Sequence, residues 1–281
     1  MPRTRPATLL PALAAAVVYG TPVQAQLAGF GGALAEADML YTAGEPLLAF
    51  QRLEAHIATD STDYGAWWRA ARSAVVLGIE EEDHRDQNLW LDPAMLFAER
   101  AVELRPEGID GIYWRGVAAG RRAMNAGPGH AVELAEIVYS DAHRILAVDS
   151  LHGGAHNMLG KLNYEIMSLS RVKRLIARTF MGNEALDDTS WENAEYHLHT
   201  AAEVWPDFVL FHFDLGQLYA KRDRRDLAIR EMRHALALPA VHPTDIGLHE
   251  QARRLLHEWG AGPPDAGTVL TDHEPAPPPP G

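Results

Sequence analysis

The sequence contains no cysteine in 281 residues. A chain without a thiol forms no disulfide, offers no thiolate nucleophile and gives no thiolate ligand to a metal ion. The same absence excludes a lipid-modified N-terminal cysteine after signal cleavage. Because oxidation cannot cross-link such a chain, it is suited to an oxidising compartment outside the cytoplasm.

Positive charge is also scarce. The chain has 25 Lys and Arg residues against 38 Asp and Glu residues, which gives a net charge of −13. Nucleic acids attract basic surfaces through counterion release, so this composition argues against a nucleic-acid partner. The simplest role of the negative charge is solubility.

Long apolar runs are missing as well, and the one short run lies at the N-terminus. Residues 1–25 carry Arg3 and Arg5, an apolar run over 9–19 and small residues before Ala25. This order is typical of a cleaved secretory signal, and the run is shorter than the roughly 20 residues of a membrane span. We predict cleavage near Ala25 and a periplasmic or secreted mature chain without a transmembrane segment. A frayed helix or an uncleaved anchor is the alternative.

Motifs of catalytic sites are absent too. The sequence has no Gly-x-Ser-x-Gly elbow, phosphate-binding loop, dinucleotide-binding glycine turn or His-Glu-x-x-His pattern. We therefore predict that the protein is not an enzyme and binds no cofactor or metal. A rival interpretation uses His152 and His156, because two imidazoles four residues apart share a helix face and can bind zinc. His197 and His199 are two residues apart and diverge on a helix.

The sequence does contain a helical pattern that recurs four times in one register. In each copy a small residue follows a turn residue by ten positions, and the copies are 45, 44 and 56 residues apart. Such spacing is typical of an α-solenoid, in which helical hairpins stack in a line. The pairs of turn residue and small residue are Ser61 with Ala71, Pro106 with Gly116, Ser150 with Gly160, and Pro206 with Gly216.

Helical periodicity extends over residues 32–259, which we assign to one all-α domain of about five hairpins. A final helix over 244–259 is expected to cap the stack, and an acidic loop over 80–92 separates the helices of the second hairpin. Residues 260–281 hold seven of the 18 prolines and are predicted to be a disordered tail, with a polyproline II ligand as the alternative. The predicted hairpins pair 33–43 with 46–58, 64–77 with 93–104, 109–124 with 131–148, 152–170 with 191–205, and 207–222 with 225–238.

The copies resemble the tetratricopeptide repeat (TPR), and the last copy does so best. That family has Leu-Gly and Tyr on the first helix of each hairpin, then Ala, a large apolar residue and Ala on the second. Earlier copies depart from this pattern: Ala71 replaces the Gly, and Arg115 replaces the Leu before Gly116. The resemblance implies stacked hairpins whose first helices line a concave face. The matching residues of the last copy are Leu215, Gly216, Tyr219, Ala228, Met232 and Ala235.

A longer resemblance, over about residues 49–256, is to the regulator of microtubule dynamics family. The run from His156 to Ile166 is similar to the phrase H-x-x-L-G-x-W-x-Y-E-V, with Leu162 in place of the Trp. The resemblance identifies the chain as an exported bacterial member and implies a helical scaffold. Animal members are associated with microtubules and organelle contacts, a role that a bacterial chain with a secretory signal cannot share literally.

The repeat register predicts which side chains face the concave groove. Aromatic anchors flanked by Arg, Lys and amide groups suit a peptide-binding groove, because they combine stacking with hydrogen bonds. The alternative for Trp68 and Tyr113 is packing between helices. The predicted groove residues are Trp68, Arg72, Tyr113, Val117, Asn157, Lys161, Tyr164, Phe213 and Gln217.

Two charged features remain. Glu165 lies in an apolar window, and because an unpaired buried carboxylate is unfavourable, we predict a structural ion pair with Arg115 or with Lys161. Residues 171–180 combine four cations with apolar residues in an amphipathic pattern. We expect this insert to pack on the solenoid, with contact to an acidic partner or a membrane surface as the alternative.

Together these features predict an exported, non-enzymatic TPR-type scaffold that binds a peptide or protein partner in its concave groove. One alternative is a small-molecule or ion-binding accessory protein of an envelope transport system, which an enclosed cavity would favour. The other is a metal-dependent enzyme built on His152 and His156.

Overall fold

The computed structural model describes residues 32–170 and 189–262. Within these two ranges it is all-helical and has no strand, which confirms the predicted all-α class. The signal segment, the insert over 171–180 and almost all of the proline-rich tail lie outside the described residues. The described helices are α1 (Ala33–Thr42), α2 (Pro46–Ile57), α3 (Tyr64–Glu80), α4 (His84–Leu104), α5 (Ile109–Met124), α6 (Pro128–Val148), α7 (Gly153–Ser168), α8 (Trp191–Val204), α9 (Val209–Lys221), α10 (Arg225–Ala237) and α11 (Asp245–Glu258).

Consecutive helices pair into five hairpins. Helix α1 packs against α2, α3 against α4, α5 against α6, α7 against α8 and α9 against α10, and α11 lies on α9 and α10. The apolar core is divided in the same way into four clusters that follow one another along the chain. A core drawn out along a line distinguishes a solenoid from a globular bundle.

The first helices of successive hairpins also contact one another. Helix α1 contacts α3, α3 contacts α5, α5 contacts α7, α7 contacts α9 and α9 contacts α11. No comparable contact joins the second helices of successive hairpins within the described ranges. Helices on the inner side of a curved stack come closer together than those on its outer side, so the first helices form the inner, concave face.

In four of the five hairpins the same position ties the two helices together. It is the fourth residue of the first helix, which faces a partner on the second helix. Successive partners lie 45, 44, 56 and 34 residues apart along the chain. The first three of these separations equal the spacings between the copies of the repeat. In the third hairpin the fourth residue is Ile112, and Arg115, one turn later, binds the partner Asp141. The other pairs are Glu36 with Arg52, Trp67 with Phe97, His156 with His197, and His212 with Glu231.

Three of these fourth residues also close the turn that precedes their helix. Each donates a ring N–H to the backbone carbonyl of the turn residue six positions earlier, so the turn is fixed relative to the helix that follows it. The bonds run from Trp67 Nε1 to Ser61 (3.0 Å), from His156 Nε2 to Ser150 (3.1 Å) and from His212 Nε2 to Pro206 (2.9 Å).

The turn bonds determine the protonation of two histidine nitrogens. A carbonyl oxygen only accepts, so Nε2 carries a proton in both His156 and His212. In the third hairpin Ile112 has no donor, and Arg144 of the second helix donates to the Pro106 carbonyl instead, at 2.7 Å. The acceptor in the turn is thus satisfied in all four copies of the repeat.

The small residues of the repeat lie where two helices approach most closely. At Gly160 a Cβ atom would be 2.6 Å from Leu198 Cγ and 2.8 Å from the Leu198 backbone nitrogen. At Gly216 it would be 3.0 Å from Met232 Cε. Glycine makes room for the second helix at these positions, which explains why the register repeats a small residue there.

The second hairpin departs from the prediction at one boundary. Helix α4 begins at His84, nine residues before the predicted start, so most of the predicted loop over 80–92 is helical. Asp83 caps the helix with its side chain, and Pro93 lies inside it. Proline removes one helical hydrogen bond, here to the carbonyl of Leu89, which lies on the exposed side of the helix. The N-cap signal therefore outweighs the proline.

The close approach at Gly160 gives a first prediction. Gly160→Ala should lower the free energy of unfolding by roughly 1–3 kcal/mol, because overpacking forces side chains and backbone to shift. Urea unfolding followed by circular dichroism measures the change. Gly129→Ala is the control, since nothing lies within 4 Å of a Cβ there and alanine favours a helix. Equal stability of the two variants would contradict the close approach.

His156 and His197, which are hydrogen-bonded to each other in the fourth hairpin, disfavour the binding of a further proton. Because His156 Nε2 is a donor, its Nδ1 accepts from the Nδ1–H of His197, at 2.9 Å. A proton on His156 Nδ1 would place two N–H groups against each other. Burial lowers the pKa of His197 to about 3, with further lowering by the charges of His156 and His143. Burial also lowers the pKa of His156, although Asp149 opposes this effect.

We therefore expect the fold to lose stability in acid. Below about pH 6.5 the unfolded histidines bind protons that the folded pair excludes, so the free energy of unfolding falls by up to about 1.4 kcal/mol per pH unit and group. Urea unfolding at about pH 7.5 and about pH 5 measures this, on either side of the ordinary histidine pKa. His197→Gln should make the free energy of unfolding depend less on pH. His257→Gln, at an exposed histidine, should leave the pH dependence unchanged. The same pH dependence in all three chains would refute the prediction.

Candidate functional site

The inner face carries an aromatic and cationic cluster at its N-terminal end. The guanidinium of Arg72 lies 3.8 Å from the ring centroid of Tyr41 and 5.3 Å from that of Trp68, and the guanidinium of Arg69 lies 4.1 Å over Trp68. The two oxygens of Asp38 accept from these arginines, at 2.8 and 2.6 Å. These contacts join α1 to α3 and leave Trp68 partly exposed.

The phenol of Tyr41 in this cluster is buried. Burial raises the pKa of Tyr41 to about 12; Arg72 opposes this effect, and the carboxylates of Asp245 and Glu80 add to it. Asp245 belongs to α11, at the far end of the array.

Tyr113 lies on the same inner face, on the first helix of the third hairpin. Burial raises the pKa of Tyr113 to about 12; the charge of Tyr41 adds to this effect and that of Arg121 opposes it. The ring centroid is 5.2 Å from that of Trp114 and 5.5 Å from that of His152. Tyr113 thus both packs between helices and remains partly exposed, and its phenol is neutral near pH 7.

Lys161 is the centre of a polar network that joins α7 to α9. Its Nζ donates to Asp214 Oδ1 and to Gln217 Oε1, both at 3.0 Å, and lies 3.6 Å from Glu165 Oε1. Asn157 Nδ2 donates to the second oxygen of Asp214 at 3.1 Å. Burial lowers the pKa of Lys161, but Asp214 and Glu165 outweigh it, and the pKa is raised overall. Lys161 is consequently a cation at every physiological pH.

A second aromatic and cationic cluster continues from Lys161. The ammonium lies 4.9 Å from the ring centroid of Tyr164, whose ring is 6.1 Å from that of Trp191. The guanidinium of Arg222 lies 5.3 Å over Trp191. Burial raises the pKa of Tyr164, so this phenol is also neutral near pH 7. The cluster joins the ends of α7 and α9 to the start of α8.

Phe213 and Asn157 differ from the other predicted groove residues. Phe213 is 3% exposed and packs with Met232, Ala252 and Leu256, so its assignment to the groove is corrected: α11 covers this side of α9. Asn157 is 9% exposed, and its amide is bound within the Lys161 network. Partly exposed are Trp68, Arg72, Tyr113, Val117, Lys161, Tyr164 and Gln217.

The predicted ion pair between Glu165 and Arg115 does not form. Arg115 Nε and Nη2 bind the two oxygens of Asp141, at 2.8 and 2.5 Å, and hydrogen bonding to Asp141 raises the pKa of Arg115. Asp141 is fully buried and needs this partner more than a half-exposed carboxylate does. Glu165 pairs with Lys161, the other partner that the sequence offered.

His152 and His156 do not form a metal site. His152 Nδ1 accepts from the Ala155 N–H as the N-cap of α7. Both nitrogens of His156 are bound, one to the Ser150 carbonyl and one to His197. Because the two rings face different partners, they cannot hold one ion together, and they give no support to a metal-dependent enzyme.

The sequence analysis missed a buried cluster in the fifth hairpin. Possible ligand atoms of His212, Glu231 and His234 lie within 4.8 Å of one another. The two histidine rings stack, with centroids 3.9 Å apart and planes at 17°, so their in-plane lone pairs do not converge on one ion. Since His212 Nε2 donates to a carbonyl, His212 Nδ1 and the Glu231 carboxylate, 2.9 Å apart, must share a proton. The repeat register is the one signal that places Glu231 there.

A cavity of about 490 Å³ opens at the surface of α1, lined by Asp38, Met39, Thr42 and Ala43. Asp38 is bound to two arginines, and the Thr42 hydroxyl donates to a backbone carbonyl. The cavity contains none of the predicted groove residues. It is an open depression rather than the enclosed cavity that a small-molecule carrier would need.

Comparison with solved structures places the fold among TPR proteins. The crystal structure of TTC0263, a thermophilic TPR protein of Thermus thermophilus, is similar with a TM-score of 0.57 and 18% identity, over 80% of this chain and 97% of that chain. YrrB, described as a TPR protein with an unusual peptide-binding site, gives a TM-score of 0.40 and 15% identity, over 82% of this chain and 95% of that chain. The first likeness confirms the α-solenoid. No curated protein sequence matches the chain significantly.

The family comparison agrees with the sequence motifs. The family model of regulator of microtubule dynamics protein 1-3 matches residues 33–260, a range that includes all five hairpins and α11. The run from His156 to Ile166, which carries the resemblance in the sequence, forms the part of α7 that presents Lys161 and Tyr164. The chain belongs to the regulator of microtubule dynamics protein 1-3 family.

Proposed function

We propose that the protein is an exported, non-enzymatic scaffold whose inner face binds a segment of a peptide or protein partner. The observation that carries the proposal is the recurrence of partly exposed aromatic, cationic and amide side chains on successive first helices. They are Trp68 and Arg72 on α3, Tyr113 on α5, Lys161 and Tyr164 on α7, and Gln217 on α9.

This combination of side chains suits a polypeptide ligand. Aromatic side chains give large contact areas at a low entropic cost, and Arg and Lys bind the oxygens of peptides and carboxylates. Stacked repeats present such groups along one extended surface, which matches an extended chain segment. The clusters around Trp68 and Tyr164 lie on the second and fourth hairpins, so a bound segment would contact several repeats.

The inner face favours binding over catalysis. Its carboxylates Asp38 and Asp214 are engaged in structural contacts, Asp38 with two arginines and the buried Asp214 with Asn157 and Lys161. A catalytic acid or base has to reach its substrate with a suitable pKa, whereas the phenol of Tyr113, with a pKa of about 12, stays neutral. These observations support a non-enzymatic role.

Removal of two aromatic anchors tests whether the inner face binds the partner. Trp68→Ala combined with Tyr164→Ala should weaken the partner at least five-fold, about 1 kcal/mol, because truncated aromatic anchors lose contact area at the centre of an interface. The partner is first crosslinked to the chain in the native cell envelope and identified by mass spectrometry. Its affinity for the purified full chain is then measured by calorimetry.

The matched control lies on α4, a second helix, and so on the outer side of the stack. Leu89→Ala with Leu96→Ala truncates two side chains of α4 that are 71% and 66% exposed, and it should leave the affinity unchanged. Urea unfolding verifies that both double variants remain folded. A folded variant without Trp68 and Tyr164 that keeps its full affinity would show that the partner binds elsewhere.

The export part of the proposal rests on the signal pattern of residues 1–25. Among the described helices, none is both long and apolar enough to cross a membrane. We expect the protein purified from its native envelope to begin at Gln26, as intact mass and N-terminal sequencing would show. Ala25→Phe should block cleavage, because signal peptidase requires a small residue there. Envelope protein that still begins at Met1 would refute the cleaved signal.

A further inference from the structure

The carboxylates of the inner face are bound to partners within the chain. The two oxygens of Asp38 accept from Arg69 and Arg72, and the two oxygens of Asp214 are held by side chains of α7. Asp245, which is 2% exposed, accepts from two backbone N–H groups with one oxygen. The negative charge of the inner face is therefore largely engaged.

Two cations beside this network differ, because they have no carboxylate partner among the ion pairs of the described ranges. Arg121 lies in the last turn of α5, a helix that contacts α7, and its charge acts on Tyr113 and Lys161 of the inner face. Arg222, the C-cap of α9, is exposed and covers Trp191 with its guanidinium. A guanidinium stacked on a ring still has N–H groups at its edge for a carboxylate.

Lys161 connects these two cations into one surface. The charge of Arg121 is close enough to oppose the charged form of Lys161. Lys161 Nζ lies 4.9 Å from the Tyr164 ring centroid, which is 6.1 Å from the Trp191 ring centroid. The guanidinium of Arg222 in turn lies 5.3 Å from the Trp191 ring centroid. We call the surface formed by Arg121, Lys161, Tyr164, Trp191 and Arg222 the basic strip.

Two tyrosines add hydrogen-bond donors to the basic strip. The phenols of Tyr113 and Tyr164, whose pKa values are raised by burial, stay protonated near pH 7 and can donate. The half-exposed carboxylate of Glu165 already lies 3.6 Å from Lys161. A ligand that fits here has to bring acceptors and negative charge.

We infer that the basic strip receives an acidic stretch of the partner polypeptide, with Asp or Glu side chains between Arg121 and Arg222. The inference rests on the proposed function and adds the chemical class of the partner. A guanidinium binds a carboxylate through two parallel hydrogen bonds, and a partly enclosed surface strengthens this attraction relative to open water. Because the chain as a whole carries a charge of −13, the attraction is confined to the strip.

Peptide selection tests the inference before the partner has been identified. A random peptide display library is selected against the purified full chain, and the retained peptides should be enriched in Asp and Glu. A fluorescent peptide from the selection should bind at least ten-fold more tightly than the same peptide with Gln for Glu and Asn for Asp. Its affinity, measured by fluorescence anisotropy, should fall as salt is added, because the contact is ionic.

Charge variants locate the contact. Arg121→Gln with Arg222→Gln should weaken the acidic peptide at least ten-fold, and Arg121→Lys with Arg222→Lys, which keeps the charge, should retain most of the binding. The matched control, Arg253→Gln with Arg254→Gln, removes the same charge from exposed arginines of α11 and should change the affinity less than two-fold. Circular dichroism confirms that each variant is folded.

The outcomes separate this inference from the proposed function. Retained peptides without acidic enrichment, or equal weakening by the two Gln double variants, would overturn the acidic stretch and leave peptide binding intact. A selection that retains no peptide at all would contradict both.

Discussion

The hydrogen bond from the fourth residue of a first helix to the carbonyl of the preceding turn is the constraint that sets the geometry of the second, fourth and fifth hairpins. It fixes the point at which the helix leaves the turn, and the same side chain then holds a partner on the second helix. A tryptophan, two histidines and, by substitution from the second helix, an arginine perform this task in different copies. Because the task is structural, two of the buried histidines are already committed and are unavailable for metal binding or catalysis.

The inner face follows from this geometry. Small residues such as Gly160 draw the second helix of each hairpin against the first, and the first helices then crowd together on the inner side of the curve. Polar and aromatic contacts bridge them there: Asp38 with Arg72 between α1 and α3, and Lys161 with Asp214 between α7 and α9. The side chains that we propose contact a partner are therefore also those that hold successive hairpins together.

Much of this arrangement is visible in the sequence, and the exceptions have physical causes. Turn residues and small residues recur at a fixed spacing because backbone geometry demands them, so the register finds them. The burial of Phe213 depends on contact with Ala252 and Leu256 of α11, which the spacing of the repeat does not show. Local capping by Asp83 starts α4 where a proline further on predicts a loop. The His212–Glu231 pair has no motif, because each hairpin fills that position with different chemistry.

The junction between α7 and α9 has a consequence for how the molecule responds to a ligand. These helices approach each other over a short stretch, and Lys161 and Asn157 join them through the two oxygens of Asp214. An anion that drew the ammonium away would leave a buried carboxylate without its counter-charge, which is strongly unfavourable. The fifth hairpin would have to shift on the fourth to relieve this, and the curvature of the array would change. Binding of an anion at Lys161 would then change the shape of the whole array and not only the structure of the binding site.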